Sequence, residues 1–165
     1  SEGSRQKILT LNKNLKSLND NLLNQAQLLD LDNPANIYLH VNSFGGSVFA
    51  GLSAVDYVKS CEVPVITIVE GCAASAATLF SVVAPHRQIR NNSFMLIHQI
   101  SSGMWGKYEE LKDSLDNCDL FMRIIKDIYG EYTKIPKKKL NEILKHDLWF
   151  DAETCLEYGL VDEII

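Results

Sequence analysis

No stretch of this chain stays apolar over the roughly eighteen residues that a bilayer-spanning helix needs, and its first residues are polar, without the apolar segment of a secretory signal. Membrane insertion and export are therefore not expected, and a cytoplasmic protein is. Cysteine is sparse: Cys61, Cys72, Cys118 and Cys155 lie far apart and form no C-x-x-C pair, which excludes the usual zinc and dithiol motifs and fits reduced thiols. No metal and no cofactor is expected. Basic excess is lacking too, since 16 Lys and Arg against 21 Asp and Glu leave a net charge of −5, which argues against a nucleic-acid partner. The one basic run, Lys137-Lys138-Lys139 beside Pro136, reads as a solvated helix start. Repeats, low-complexity tracts and linkers are absent, so a single domain over residues 1–165 is expected, long enough to bury one core.

What is present is an alternation of strand and helix patterns. Residues 7–11 read as a short strand and residues 14–29 as a helix with Leu15, Leu18, Leu22, Leu23, Ala26 and Leu29 on one face. Residues 30–36, with Pro34, break it. Residues 37–41 alternate, with Ile37, Leu39 and Val41 sharing one face and His40 a structural residue on the other. A helix with Val48, Leu52, Val55 and Val58 inward leads to a β-branched strand at residues 64–69, apolar as when both faces are covered. A buried helix over residues 76–84 follows, then a surface turn at His86 and strands at residues 88–90 and 94–97. The helix expected over residues 107–128 carries Leu111, Leu115, Leu120, Phe121, Ile124, Ile125 and Ile128, a stripe too long for one small core. It is expected to project against another subunit. Pro136 opens a short helix, Gly159 stops the last one at residues 152–158, and residues 160–164 close the chain as a strand. The pattern is that of an α/β domain with its chemistry in loops at strand ends.

Three such loops carry candidate groups. Gly71-Cys72-Ala73-Ala74-Ser75-Ala76-Ala77 sets a serine between a buried strand and a helix start, where backbone amides are free. The same residues would serve close helix packing with Ser75 as an N-cap. Gly45-Gly46 lets backbone approach backbone or ligand, or makes a tight turn. His98 follows the strand at residues 94–97. Serine catalysis needs a base, a carboxylate to hold the base, and amides for an oxyanion. Ser75, His98 and Asp147, with amides near Gly46 and Ala76, would supply each. Their chain order matches none of the chymotrypsin, subtilisin and α/β-hydrolase plans, and a G-x-S-x-G elbow is missing. Periodicity by itself does not choose His98 over His40 or His146, nor Asp147 over other acids.

A family resemblance does choose. The pieces Ile37-Tyr38-Leu39-His40-Val41-Asn42-Ser43-Phe44-Gly45-Gly46-Ser47-Val48, Gly71-Cys72-Ala73-Ala74-Ser75, Met95-Leu96-Ile97-His98-Gln99, His146-Asp147 and Glu157-Tyr158-Gly159-Leu160-Val161-Asp162 resemble the ClpP family, the proteolytic subunits of the Clp (caseinolytic) protease. The likeness runs from about residue 7 to the C-terminus. It implies a ClpP/crotonase-like α/β fold of repeated β-β-α units, with residues 107–128 as a projecting handle helix. It also implies Ser75 as nucleophile, His98 as general base and acid, Asp147 as the carboxylate, and Gly46 and Ala76 as oxyanion donors. Ile100, Ser101, Ser102 and Gly103 would pair with substrate backbone. The implied activity is serine endopeptidase cleavage of unfolded polypeptides and short peptides inside two stacked heptameric rings, a tetradecamer. ATP would enter only through an AAA+ unfoldase partner.

The sequence departs from the family pattern in four places. The family's Ser-Pro-Gly-Gly is Ser43-Phe44-Gly45-Gly46 here, its His-Gln-Pro is His98-Gln99-Ile100, and its acidic-Arg pair before the catalytic acid is Lys145-His146. The family's axial loop and helix precede its first strand, where this reading leaves only residues 1–6. A catalytically silent ClpP-like ring subunit is the alternative these departures motivate, and an acyl-CoA enzyme of the crotonase type shares the fold.

Overall fold

The computed structural model describes residues 2–32 and 34–165; Ser1 and Asn33, in the segments read as preceding the first strand and breaking the first helix, lie outside the described residues. In chain order the elements are α1 (Glu2–Leu28), β1 (Ile37–Ser43), α2 (Val48–Ser60), β2 (Val65–Ala74), α3 (Ala76–Val82), β3 (His86–Ile89), β4 (Phe94–Leu96), α4 (Tyr108–Tyr132), α5 (Lys137–Ile143), α6 (Ala152–Glu157) and β5 (Glu163–Ile164). The strands form one parallel sheet in the order β1-β2-β3-β5, with β4 on the far half of β2. The α/β class is as expected.

β2 is the spine. Val65, Ile66, Thr67, Ile68 and Val69 are all buried, because β1 and β3 flank this half of the strand and helices cover it. Thr67 tolerates burial by donating to the Ser81 carbonyl at 2.9 Å. At Glu70-Gly71 the strand turns, and the Gly71 amide donates to Ser93 Oγ at 2.8 Å. Its partners change there: Val69 pairs with Ile89 of β3, but Cys72 to Ala74 pair with Phe94 to Leu96 of β4. The same irregularity lets β1 slip from Val41↔Val69 to Ser43↔Ala73. β2 thus runs past its apolar half and carries the small-residue stretch to the base of α3, every residue of which is buried.

The strand read at residues 7–11 is not there; those residues lie within α1. The inward face of that helix is also different. Asn12, Leu15, Asn19 and Ala26 are buried, whereas Leu18 and Leu29 are exposed. Asn12 donates to Ser53 Oγ at 3.0 Å and Asn19 accepts from the Val63 amide at 3.0 Å, so amide side chains occupy inward helix positions that the apolar face read for residues 14–29 did not include. β1 keeps the alternation read for it, with Ile37 and Val41 buried and Tyr38 and His40 outward. His86 opens β3 and does not sit in a turn. In α4, Ile125 and Tyr129 are buried but Leu111, Leu115 and Leu120 are exposed, so only the C-terminal half of its stripe is covered within the chain.

Candidate active site

Ser75 occupies the single residue between β2 and α3, with φ 55° and ψ −129°. That left-handed backbone suits glycine, and a side chain there costs on the order of 1–3 kcal/mol. Several bonds hold it. The Ser75 amide donates to the Leu96 carbonyl at the end of β4 at 2.8 Å, and the Ser75 carbonyl accepts from both the Thr78 amide at 3.0 Å and Thr78 Oγ1 at 2.6 Å. Ser75 is therefore no side-chain cap of α3; its hydroxyl is left free of that duty.

The bond to Leu96 brings the end of β4 beside Ser75, and His98 lies two residues on. An antiparallel bridge, Met95↔Phe150, with amide-to-carbonyl distances of 2.9 and 2.8 Å in the two directions, brings in the chain from the other side. Three residues past Met95 and three before Phe150 stand His98 and Asp147, which that register sets opposite each other. Their side chains meet, with His98 Nδ1 3.0 Å from Asp147 Oδ1. His98 is one-fifth exposed and Asp147 about three-quarters exposed, at 20% and 76%. With Nδ1 turned to the carboxylate, Nε2 is the imidazole nitrogen left for another partner.

Ser75 and His98 line one pocket of about 60 Å³, together with Gly46, Val48, Ala76 and Ile100. Among the described residues the Ser75 hydroxyl and the His98 ring share no hydrogen bond, while His98 Nδ1 and the Asp147 carboxylate stand within ion-pair distance. Neither the Gly46 nor the Ala76 amide donates to a protein acceptor among the described residues. The glycine loop reaches the serine closely. A Cβ on Gly45, which has φ 88°, would lie 2.5 Å from the Ala74 carbonyl oxygen and 2.9 Å from the Ala76 nitrogen. Ser43 holds the turn by accepting from the Gly45 amide at 3.1 Å, in the place where Phe44 stands for the expected proline. Of the segment read as pairing with substrate, Ile100 and Ser101 line the pocket, whereas Ser102 and Gly103 do not. Residues 100–105 form no strand here and residues 101–106 are exposed, so their backbone groups are available.

A family model described as Clp protease matches residues 4–165. The chain belongs to the Clp protease family. It is 37% identical over 145 residues to "ATP-dependent Clp protease proteolytic subunit 3" of Streptomyces coelicolor, covering 85% of this chain and 67% of that protein. To the "ATP-dependent Clp protease proteolytic subunit" of Streptococcus mutans it is 36% identical over 155 residues, 88% of this chain and 79% of the other. To the one of Deinococcus radiodurans it is 32% identical over 149 residues, 88% and 73%. Membership places the chain among the Clp-type peptidases.

Other groups in this Clp-family chain are accounted for by structure. A cavity of about 560 Å³ lies at the far end of the strands around Val58, Val82, Arg87 and Asp162. Its main charges are already matched: Arg87 grips Asp162 with two nitrogens and donates to the Val82, Tyr132 and Gly159 carbonyls. His40 bonds Glu70 at 3.1 Å on the outer face of the sheet, and Arg90 joins the same carboxylate at 3.1 Å. These two bonds hold the Glu70 carboxyl below its usual range. Cys155 is buried, which pushes its thiol up to about 12 and makes it inert. Lys145 pairs with Glu142 at 2.9 Å within its own chain. The sequence reading passed over Tyr129, which lines the pocket, and Thr78, buried against it, because a threonine on an apolar helix and a tyrosine in an apolar stripe carry no signal of their own.

Proposed function

We propose that the chain is a serine endopeptidase of the Clp type, with Ser75 as nucleophile, His98 as base and acid, Asp147 as the carboxylate, and the Gly46 and Ala76 amides as oxyanion donors. The observation that carries this reading is the 3.0 Å approach of Asp147 to His98, a residue that lines the same pocket as Ser75, Gly46 and Ala76. In this scheme His98 Nε2 takes the Ser75 hydroxyl proton as Oγ bonds to the substrate carbonyl carbon, and the oxygen so charged is received by the two amides. Collapse breaks the C–N bond, and His98 returns the proton to the departing amine. A water then attacks the acyl ester with its proton passing to His98, the C–Oγ bond breaks, and Ser75 recovers its hydrogen. In this scheme the Ser75–His98 hydrogen bond forms in the reacting complex, where such bonds tighten.

Substrate is unfolded polypeptide or short peptide, lying extended beside Ile100, Ser101, Ser102 and Gly103 and held through backbone pairing that reads little sequence. The exposed stripe of α4 and the exposed Asp147 support a homo-oligomer, with heptameric rings stacked as a tetradecamer enclosing the sites. The relatives are named ATP-dependent, and an AAA+ unfoldase is the partner proposed to bring in that dependence. Among the described residues no helix is long and apolar enough to cross a membrane, and a cytoplasmic location is part of the proposal.

Peptide hydrolysis by purified Ser75→Ala protein tests the reading. A loss of about a millionfold in kcat is expected, because members of such a triad act as a unit. Hydrolysis at the parent rate would remove Ser75 from the mechanism.

A further inference from the structure

Ser75 and Ala76 share one peptide plane, in which the Ser75 carbonyl and the Ala76 N–H point in opposite directions. Whatever fixes the carbonyl therefore aims the amide. Thr78 Oγ1 donates to that carbonyl at 2.6 Å, beside the Thr78 amide at 3.0 Å. Thr78 Oγ1 also lies 2.5 Å from the Tyr129 hydroxyl. A threonine hydroxyl has one proton. With that proton on the Ser75 carbonyl, the donor in the second bond is Tyr129. Both residues are buried to 1% exposure or less, and Tyr129 comes from α4, far along the chain. Burial pushes the Tyr129 phenol up, and the bond to Thr78 offsets this only in part, so it remains a donor throughout the working pH range.

We propose that Thr78 and Tyr129 are positioning residues for the oxyanion amide: the relay from Tyr129 through Thr78 to the Ser75 carbonyl aims the Ala76 N–H into the pocket. The proposal rests on the serine-peptidase reading above. Two effects combine. The relay anchors a peptide held in a left-handed conformation that would otherwise relax, and donation to a carbonyl polarises the N–H of the same amide, strengthening it toward a developing charge. Because Tyr129 lies on the helix whose other half is exposed, α4 is tied through one side chain to the backbone beside the nucleophile.

Two buried hydroxyls also pair simply to satisfy each other. Steady-state kinetics on a short fluorogenic peptide amide separates the roles, with the parent protein first treated with a fluorophosphonate to establish a reactive serine. An amide aimed at the transition state affects kcat and leaves ground-state binding alone. Thr78→Val is expected to lower kcat about 10- to 100-fold, less than complete removal of a donor, with KM within about threefold. Tyr129→Phe, which keeps the ring and folds even if Thr78→Val does not, is expected to lower kcat about three- to tenfold. Thr78→Ser keeps the hydroxyl and is expected to recover kcat to within about threefold of the parent. A parent protein that neither labels nor turns over overturns the serine-peptidase reading and this inference with it. An active parent whose variants keep kcat, lose activity through KM alone, or fail equally in Thr78→Ser and Thr78→Val overturns this inference only.

Discussion

Ser75 holds a conformation that its own side chain disfavours, and the strain lies where a nucleophile would be presented. Replacing it with glycine relieves the left-handed backbone, whereas alanine removes the hydroxyl and keeps the strain. Ser75→Gly is therefore expected to be about 1 kcal/mol more stable than Ser75→Ala in urea unfolding, with both inactive. Equal stabilities would mean that the surrounding bonds, not the residue, set the turn. The sequence marked this serine through its small neighbours, and it marked Gly45-Gly46 as a close approach, which the Gly45 contact with the Ala74 carbonyl bears out. His98 and Asp147 were different. What sets them opposite each other is the register of the Met95–Phe150 bridge, a long-range pairing that no local pattern reports, so only family resemblance picked them.

At the scale of elements, Arg87 is the knot that ties β3, the ends of α3 and α4, and the α6–β5 connection. Its guanidinium, 12% exposed, satisfies three carbonyls and Asp162 together. Arg87→Ala is expected to cost about 2–3 kcal/mol, mostly from the carbonyls left unpaired. Asp162 supplies a pH dependence. Burial pulls its carboxyl upward, but pairing with Arg87 outweighs this and holds it below the ordinary carboxylate range. A lowered folded-state value stabilises above the unfolded value of about 4 and fades as pH falls through the folded one. Asp162→Asn should accordingly flatten the acid limb of a stability-against-pH curve while leaving its shape above pH about 5 unchanged; an unaltered acid limb would assign acid sensitivity to other carboxyls. The misread element was α1. Its first apolar residues form a run short enough to pass for a strand, and its inward positions at Asn12 and Asn19 are polar, which hides a helical face from any count of apolar spacing. β1 and the first half of β2 were legible because their neighbours impose clean alternation and full burial, respectively.

The whole molecule presents more apolar surface than one chain needs. Leu111, Leu115 and Leu120 on α4 lie open, as do Phe44 and Trp149, which meet edge to face beside the loops of the site. A pair such as His98–Asp147, with its acid in solvent, is screened and worth little until something covers it. Assembly and activity should therefore fall together. Leu115→Glu with Leu120→Glu is expected to leave the fold intact, reduce the sedimenting particle to smaller species and lower peptide hydrolysis; a variant that stays assembled would show that this stripe is not the interface. The most direct test of the central claim is a fluorophosphonate reaction followed by mass mapping of the adduct. The account predicts one adduct, on Ser75, formed at least about a hundredfold more slowly in His98→Ala. An adduct on another residue, or a Ser75 that reacts equally fast without His98, would contradict it.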